Sequence, residues 1–121
     1  MPSPRSRIGL RAEIAAAAEL GRQGYRIIGS NYRCRHGEID LLAEDGDCLV
    51  FVEVRCKRTD TFGSPAESIT LAKQRKLITT AQHYLEAHNQ NDIPCRFDVV
   101  EVLEEDGRLV VKDILKNAFT C

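Results

Sequence analysis

The chain has 121 residues and a mass of 13.6 kDa, which gives room for one core and predicts a single domain over 1–121. Hydrophobic residues at 43% and charged residues at 29% exclude a disordered chain. The apolar runs Ile14–Ala18 and Leu49–Val52 fall far short of the roughly 20 residues of a membrane helix, and the basic Met1–Arg7 leads into no apolar stretch, so a cytoplasmic protein without a secretory leader is expected.

Taken in chain order, residues 9–23 are rich in Ala and Glu, and Ile8, Ala12, Ala15, Ala16 and Leu20 share one face at helical spacing. A helix is predicted there, with Gly24 as its terminator. Tyr25–Cys34 reads as a first strand carrying Tyr25, Ile27 and Ile28. From Gly37 to Arg58 two strands are predicted around Glu44-Asp45-Gly46-Asp47, with Asp45-Gly46 at the centre of a tight turn. Thr59–Pro65 reads as a loop. Ser68 or Thr70 caps a second helix to about His88, with Leu71, Leu77, Ile78, Ala81 and Leu85 inward. Asn89–Pro94 breaks it, and Arg96–Leu103 and Arg108–Leu115 form a hairpin around Glu105-Asp106-Gly107. This order predicts an α/β fold: one mixed five-stranded sheet with helices on its faces.

The five cysteines (34, 48, 56, 95 and 121) form an odd set without a CxxC pair, the spacing of reduced structural thiols rather than of a zinc site or a disulfide framework. Net charge is −1, unevenly spread. Residues 1–36 carry seven Arg against two Glu, 37–54 six acids and no base, and 55–76 six bases against two acids. An acidic segment bracketed by basic ones is the pattern of a metal site beside a polyanion-binding surface, or of ordinary solvated charge.

With Asp45-Gly46 central, cross-strand pairing sets Glu38 opposite Glu53, Asp40 opposite Phe51, and Leu42 opposite Leu49. Side-chain alternation then turns Glu38, Asp40, Glu53, Arg55 and Lys57 to one face, and Ile39, Leu41, Val50, Val52 and Val54 to the other. Carboxylates facing each other at about 5 Å between Cβ atoms destabilise a strand pair. Two things relieve that: a bound Mg²⁺ or Mn²⁺, or neutralisation by Arg33, Arg35, Arg55 and Lys57.

Several motifs occur in order: Glu13 in the first helix, Asn31-Tyr32-Arg33, Gly37-Glu38-Ile39-Asp40-Leu41-Leu42, Phe51-Val52-Glu53-Val54-Arg55, Phe62-Gly63, and Arg96-Phe97-Asp98-Val99-Val100. In these the chain closely resembles the YraN-like family of small bacterial proteins. The resemblance implies a restriction-endonuclease-like domain akin to archaeal Holliday-junction resolvases. It also implies a nuclease core in which Asp40 and Glu53 match the metal-binding acids of a D…ExK motif and Glu13 the helix carboxylate that completes such sites. Arg55 stands where that motif has lysine. Arginine stays charged, so it can hold a phosphate or stabilise developing negative charge but cannot shuttle a proton.

Two functions follow as expectations. The first is an Mg²⁺- or Mn²⁺-dependent endonuclease on branched or structured DNA, with Asp40, Glu53 and Glu13 as metal ligands and Arg55 on the scissile phosphate. The second, favoured by Arg55, is a non-catalytic nucleic-acid-binding module of the same fold. Arg33, Arg35, Lys57, Lys73 and Lys76 are the expected phosphate contacts. Gln74 is a weak site candidate, His36 reads as a surface loop residue, and His83 and His88 as plain helix residues. By analogy with resolvases a homodimer is expected.

Overall fold

Gly24 stops the first helix as its missing side chain predicts. In the computed structural model, which describes residues 7–58 and 69–119, α1 spans Arg7–Arg22 and Gly24 follows at φ +97°. The Gly24 amide donates to the Gly21 carbonyl (3.1 Å) and the Tyr25 amide to that of Leu20 (3.0 Å), a Schellman closure that satisfies carbonyls the helix end would leave bare. The second helix, α2, spans Leu71–Ala87; Thr70 caps it, its side chain accepting from the Lys73 amide at 3.1 Å. Ser68, Thr59–Pro65 with Phe62-Gly63, and the Ile8 side chain lie outside the described residues.

Five strands lie side by side in chain order: β1 (Arg26–Cys34), β2 (Gly37–Asp45), β3 (Cys48–Arg58), β4 (Cys95–Glu105) and β5 (Arg108–Phe119). β3 and β4 are parallel with α2 between them in the chain, and the other neighbours are antiparallel. This is the α/β fold with a mixed five-stranded sheet and two helices that the pattern predicts. β5 runs past its predicted end because Phe119 stacks on Phe97 (4.6 Å between ring centroids), a single tertiary contact with no periodic signature. Among the described residues no helix is long and apolar enough to cross a membrane.

The two hairpins built on Asp-Gly differ. The second turns on Asp106 (φ +50°) and Gly107 (φ +79°), with Glu105 opposite Arg108: both central residues have positive φ, as in a type I′ turn. In the first, Asp45 pairs with Cys48, so Gly46-Asp47, not Asp45-Gly46, is central. Gly46 takes φ +61° as the first central residue, the glycine position of a type II′ turn. Asp45 stays in the ladder, where its Oδ2 accepts from Arg96 (2.8 Å). That places the β2–β3 register two residues from the expected one, with Leu41 opposite Val52 and Leu42 opposite Phe51.

Both sheet faces are buried. Ala12, Ala16 and Leu20 of α1 pack with Leu41, Ala43, Val50, Val52, Val100 and Val102. Leu77, Ala81, Tyr84 and Leu85 of α2 pack with Ile39, Leu42, Leu49, Phe51, Phe97 and Val99. Ile39 therefore lies on the α2 side, not with Leu41 as strict alternation predicts. Leu71 also departs from expectation, at 68% exposed. It sits six residues before Leu77, about 240° around the helix from the buried stripe.

Candidate metal centre

The alternation breaks at Asp40. Leu41 faces the α1 side, and Asp40 reaches the same side, where one carboxylate oxygen each from Glu13, Glu38 and Asp40 lies within 4.8 Å of the others. Beside it, Asn31 of β1 takes φ +55°, a left-handed conformation Asn tolerates better than most residues; the pairs Ser30–Leu41 and Tyr32–Ile39 bracket it. The β2–β3 pairing runs from the turn to Leu41–Val52. Beyond it the Val54 amide donates to Asp40 Oδ2 at 2.8 Å. Small residues on α1, Ala12 and Ala16, let the helix sit close on the sheet. That delivers Glu13, 7% exposed, to the two strand acids.

Three carboxylates this close repel one another, and the arrangement suits a hard divalent cation. Oxygen donors are what Mg²⁺ and Mn²⁺ prefer, and Mg²⁺ bonds of about 2.0–2.1 Å hold ligand oxygens up to about 4 Å apart. Arg33 forms an ion pair with Glu38 at 2.8 Å, which offsets part of the negative charge from the solvent side.

Glu53 stands outside this group. Its neighbours Val52 and Phe51 face the α1 and α2 sides respectively, and its own side chain, 6% exposed, meets Lys73 of α2 at 3.5 Å. The expected single acidic face is thus divided, because the break at Asp40 turns Glu38 and Asp40 to α1 while Glu53 stays toward α2. The link to the carboxylate group is through the backbone: the amide that binds Asp40 belongs to the peptide joining Glu53 to Val54. Arg55, half-buried, follows two residues along β3.

The expected phosphate contacts fall into three settings. Lys57 is largely buried and paired with Glu101 at 3.3 Å, which removes it from the free surface. Lys73 is held by Glu53 but keeps 45% of its side chain exposed. Arg33, Arg35 and Lys76 are exposed at the β1–β2 turn and on α2. Gln74 donates to the Ile69 carbonyl (3.1 Å) ahead of the helix.

A separate polar cluster sits under β4. Asp98, fully buried, accepts from the Tyr25 hydroxyl (2.7 Å), Arg96 Nε (2.9 Å) and the Asn117 amide (2.9 Å). Burial and this bond push the Tyr25 phenol up to about 12. Arg96 is raised further by its bond to Asp98 and holds Asp45 below the usual carboxylate range.

Sequence reasoning grouped Glu38 with the acids without assigning it a role, and missed Asn31. The buried Asn31 Oδ1 has no hydrogen-bond partner and borders, with Glu13, a groove of about 250 Å³ between α1 and β1. An Asn at a strand position was the available signal, since Asn is disfavoured in strands and tolerates left-handed φ.

Residues 12–102 match the profile described as uncharacterised protein family UPF0102. A UPF0102 protein of Symbiobacterium thermophilum is 51% identical over 114 residues, covering 93% of this chain and 96% of the relative. One of Nitrosomonas europaea is 54% identical over 111 residues, covering 92% of each. One of Moorella thermoacetica is 43% identical over 120 residues, covering 98% of this chain and all of the relative.

Proposed function

The chain belongs to the uncharacterised protein family UPF0102, and we propose that it is a divalent-cation-dependent endonuclease acting on DNA of branched or structured form, built on a restriction-endonuclease-like core. The observation that carries this reading is the meeting of Glu13, Glu38 and Asp40 oxygens within 4.8 Å. Folding alone gains nothing from that crowding, which a cation relieves.

In this reading Glu13, Glu38 and Asp40 hold Mg²⁺ or Mn²⁺. The ion, when bound, supplies charge neutralisation on the scissile phosphate and an activated water. The chain's own residues do the positioning. The Val54 amide fixes Asp40, and Glu53 steadies Lys73 at 3.5 Å so that its exposed ammonium can meet a phosphate oxygen. Arg55 adds a permanent positive charge on the same strand. A symmetric homodimer would present two such centres to a four-way junction.

Calorimetric titration with Mn²⁺ and single-turnover cleavage of duplex, single-stranded and four-way DNA test the proposal. Wild type is expected to bind Mn²⁺ and cut at least one substrate. Asp40→Asn is expected to lose the binding and at least a hundredfold in rate, about 2.7 kcal/mol of barrier. Equal Mn²⁺ binding by both proteins sinks the carboxylate assignment. Arg55 in the lysine position favours a second reading, a nucleic-acid-binding module without catalysis; DNA binding by wild type with no cleavage of any substrate selects it.

A further inference from the structure

Asn31 combines an unusual backbone with a bare buried acceptor. Among the described residues four that are not glycine take positive φ: Asn31, Asn89, Asp106 and Asn117. Asn89 follows the end of α2, where its amide donates to the Glu86 carbonyl (3.2 Å). Asp106 sits in the second hairpin turn, and Asn117 brings its amide to Asp98 (2.9 Å). Each of these three serves a turn or a hydrogen bond. Asn31, at φ +55°, lies inside β1, and its buried Oδ1 has no hydrogen-bond partner among the described residues. A buried acceptor left bare loses the bonds that water gave it in the unfolded chain, so folding alone does not favour this placement.

The neighbours of that oxygen are the proposed metal ligands. The pairs Ser30–Leu41 and Tyr32–Ile39 leave Asn31 opposite Asp40, and residues facing each other in an antiparallel ladder have Cβ atoms about 5 Å apart on one face. Asn31 and Glu13 line the same groove between β1 and α1. Glu13 and Asp40 in turn bring carboxylate oxygens within 4.8 Å of each other and of Glu38. The walls of the groove include Leu10, Ile14 and Leu41, side chains with no donor to offer. A cation held by the carboxylates would supply the missing partner.

We propose that Asn31 Oδ1 is a fourth protein oxygen on the divalent cation of the carboxylate group. Such a role rests on the metal reading above and adds a ligand that it lacks. An amide oxygen is a hard donor, of the kind that Asn and backbone carbonyls supply in calcium sites. It is also neutral. Three carboxylates already exceed the charge of a divalent ion, so an amide adds coordination where a further acid would add repulsion. Four oxygens from the protein leave about two positions of an octahedral ion for water and a phosphate oxygen. The left-handed backbone, which Asn tolerates better than most residues, is then what the site requires at position 31.

Calorimetric titration with Mn²⁺ tests the assignment on wild type, Asn31→Gly and Asn31→Asp, with Asp40→Asn as the reference. Glycine removes the side chain and keeps the left-handed φ; aspartate keeps an oxygen, cannot donate, and tolerates that backbone. Asn31→Gly is expected to weaken Mn²⁺ binding at least about tenfold, the smallest loss usual even for a side chain that only supports a ligand. Asn31→Asp should bind at least as tightly as wild type. Thermal unfolding should place Asn31→Asp below wild type in EDTA, where a fourth carboxylate adds repulsion, and restore it in excess Mn²⁺. In a Mg²⁺ titration of wild type followed by NMR, the Asn31 side-chain amide should shift in step with saturation while that of Asn117 stays still. Wild-type Mn²⁺ affinity in Asn31→Gly, with binding lost in Asp40→Asn, overturns the fourth ligand and leaves the metal reading standing. Equal weakening in Asn31→Gly and Asn31→Asp also overturns it, since that marks an Nδ2 donor or a backbone role. Absence of Mn²⁺ binding by wild type removes both readings together. Should Asn31→Gly fail to fold, an unmoved Asn31 amide in the wild-type titration overturns the ligand.

Discussion

Asp98 and Asp40 are strand aspartates in opposite situations. Asp98 is fully buried with charge-matched donors around it: a phenol, a guanidinium and a backbone amide. Asp40 accepts the Val54 amide and stands with its oxygens among those of Glu13 and Glu38. The first carboxylate is neutralised from inside the protein, so its charge serves stability. The second belongs to a concentration of like charge, and that difference is the ground on which we propose it as the metal site.

Substitution should separate the two. Asp98→Ala leaves Arg96 and Tyr25 facing a vacated, buried position, and removing one partner of such a group costs about 3–5 kcal/mol. Urea unfolding in EDTA should record that loss, while Asp40→Asn, which relieves repulsion, should stay within about 1 kcal/mol of wild type. Comparable losses for both variants would erase the distinction.

A smaller effect comes from pH. The Tyr25 phenol titrates at about 12 because burial and its bond to Asp98 hold the proton, whereas an unfolded tyrosine titrates near 10. A folded value above the unfolded one means the stabilisation is complete below about pH 10 and is lost as pH rises toward 12. The urea midpoint should therefore fall more steeply across that window in wild type than in Tyr25→Phe. Parallel declines would show that the Asp98 cluster does not hold the Tyr25 proton.

The Asp98 cluster and the carboxylate group also differ in how far they could be read from sequence. Hydrophobic periodicity located both helices and all five strands, since burial on two faces demands it. The strand acids were visible as unfavourable strand residues. Their register and their grouping were not, because each depends on a local irregularity. Asp-Gly can turn with aspartate or with glycine first, and Asp45 leaves the turn to bind Arg96. Asn31 in a left-handed conformation accompanies the break that turns Asp40 to the α1 side. The first moves the β2–β3 register by two residues and leaves each side chain on its face; the second sets Glu38, and not Glu53, beside Asp40 and Glu13. The Tyr25–Arg96–Asp98 contacts join residues remote in sequence, and no local pattern encodes them.

The smallest expected effect concerns Arg55, where the chain departs from the D…ExK pattern. Alternation along β3 puts Arg55 on the Glu53 side of the strand, toward α2, and away from the side on which Glu13, Glu38 and Asp40 meet. A side chain in that position contributes a positive charge to the strand end and no proton transfer at the carboxylates. Lysine carries the same charge, so Arg55→Lys should change single-turnover cleavage by no more than about threefold, about 0.7 kcal/mol. Arg55→Ala should lower it more and flatten the salt dependence of DNA binding by about 0.9 in log–log slope if the guanidinium meets a phosphate. A hundredfold gain in Arg55→Lys would instead mean that a titratable ammonium reaches the reacting water from this face, and would bring Glu53 and its side of β3 into the catalytic centre.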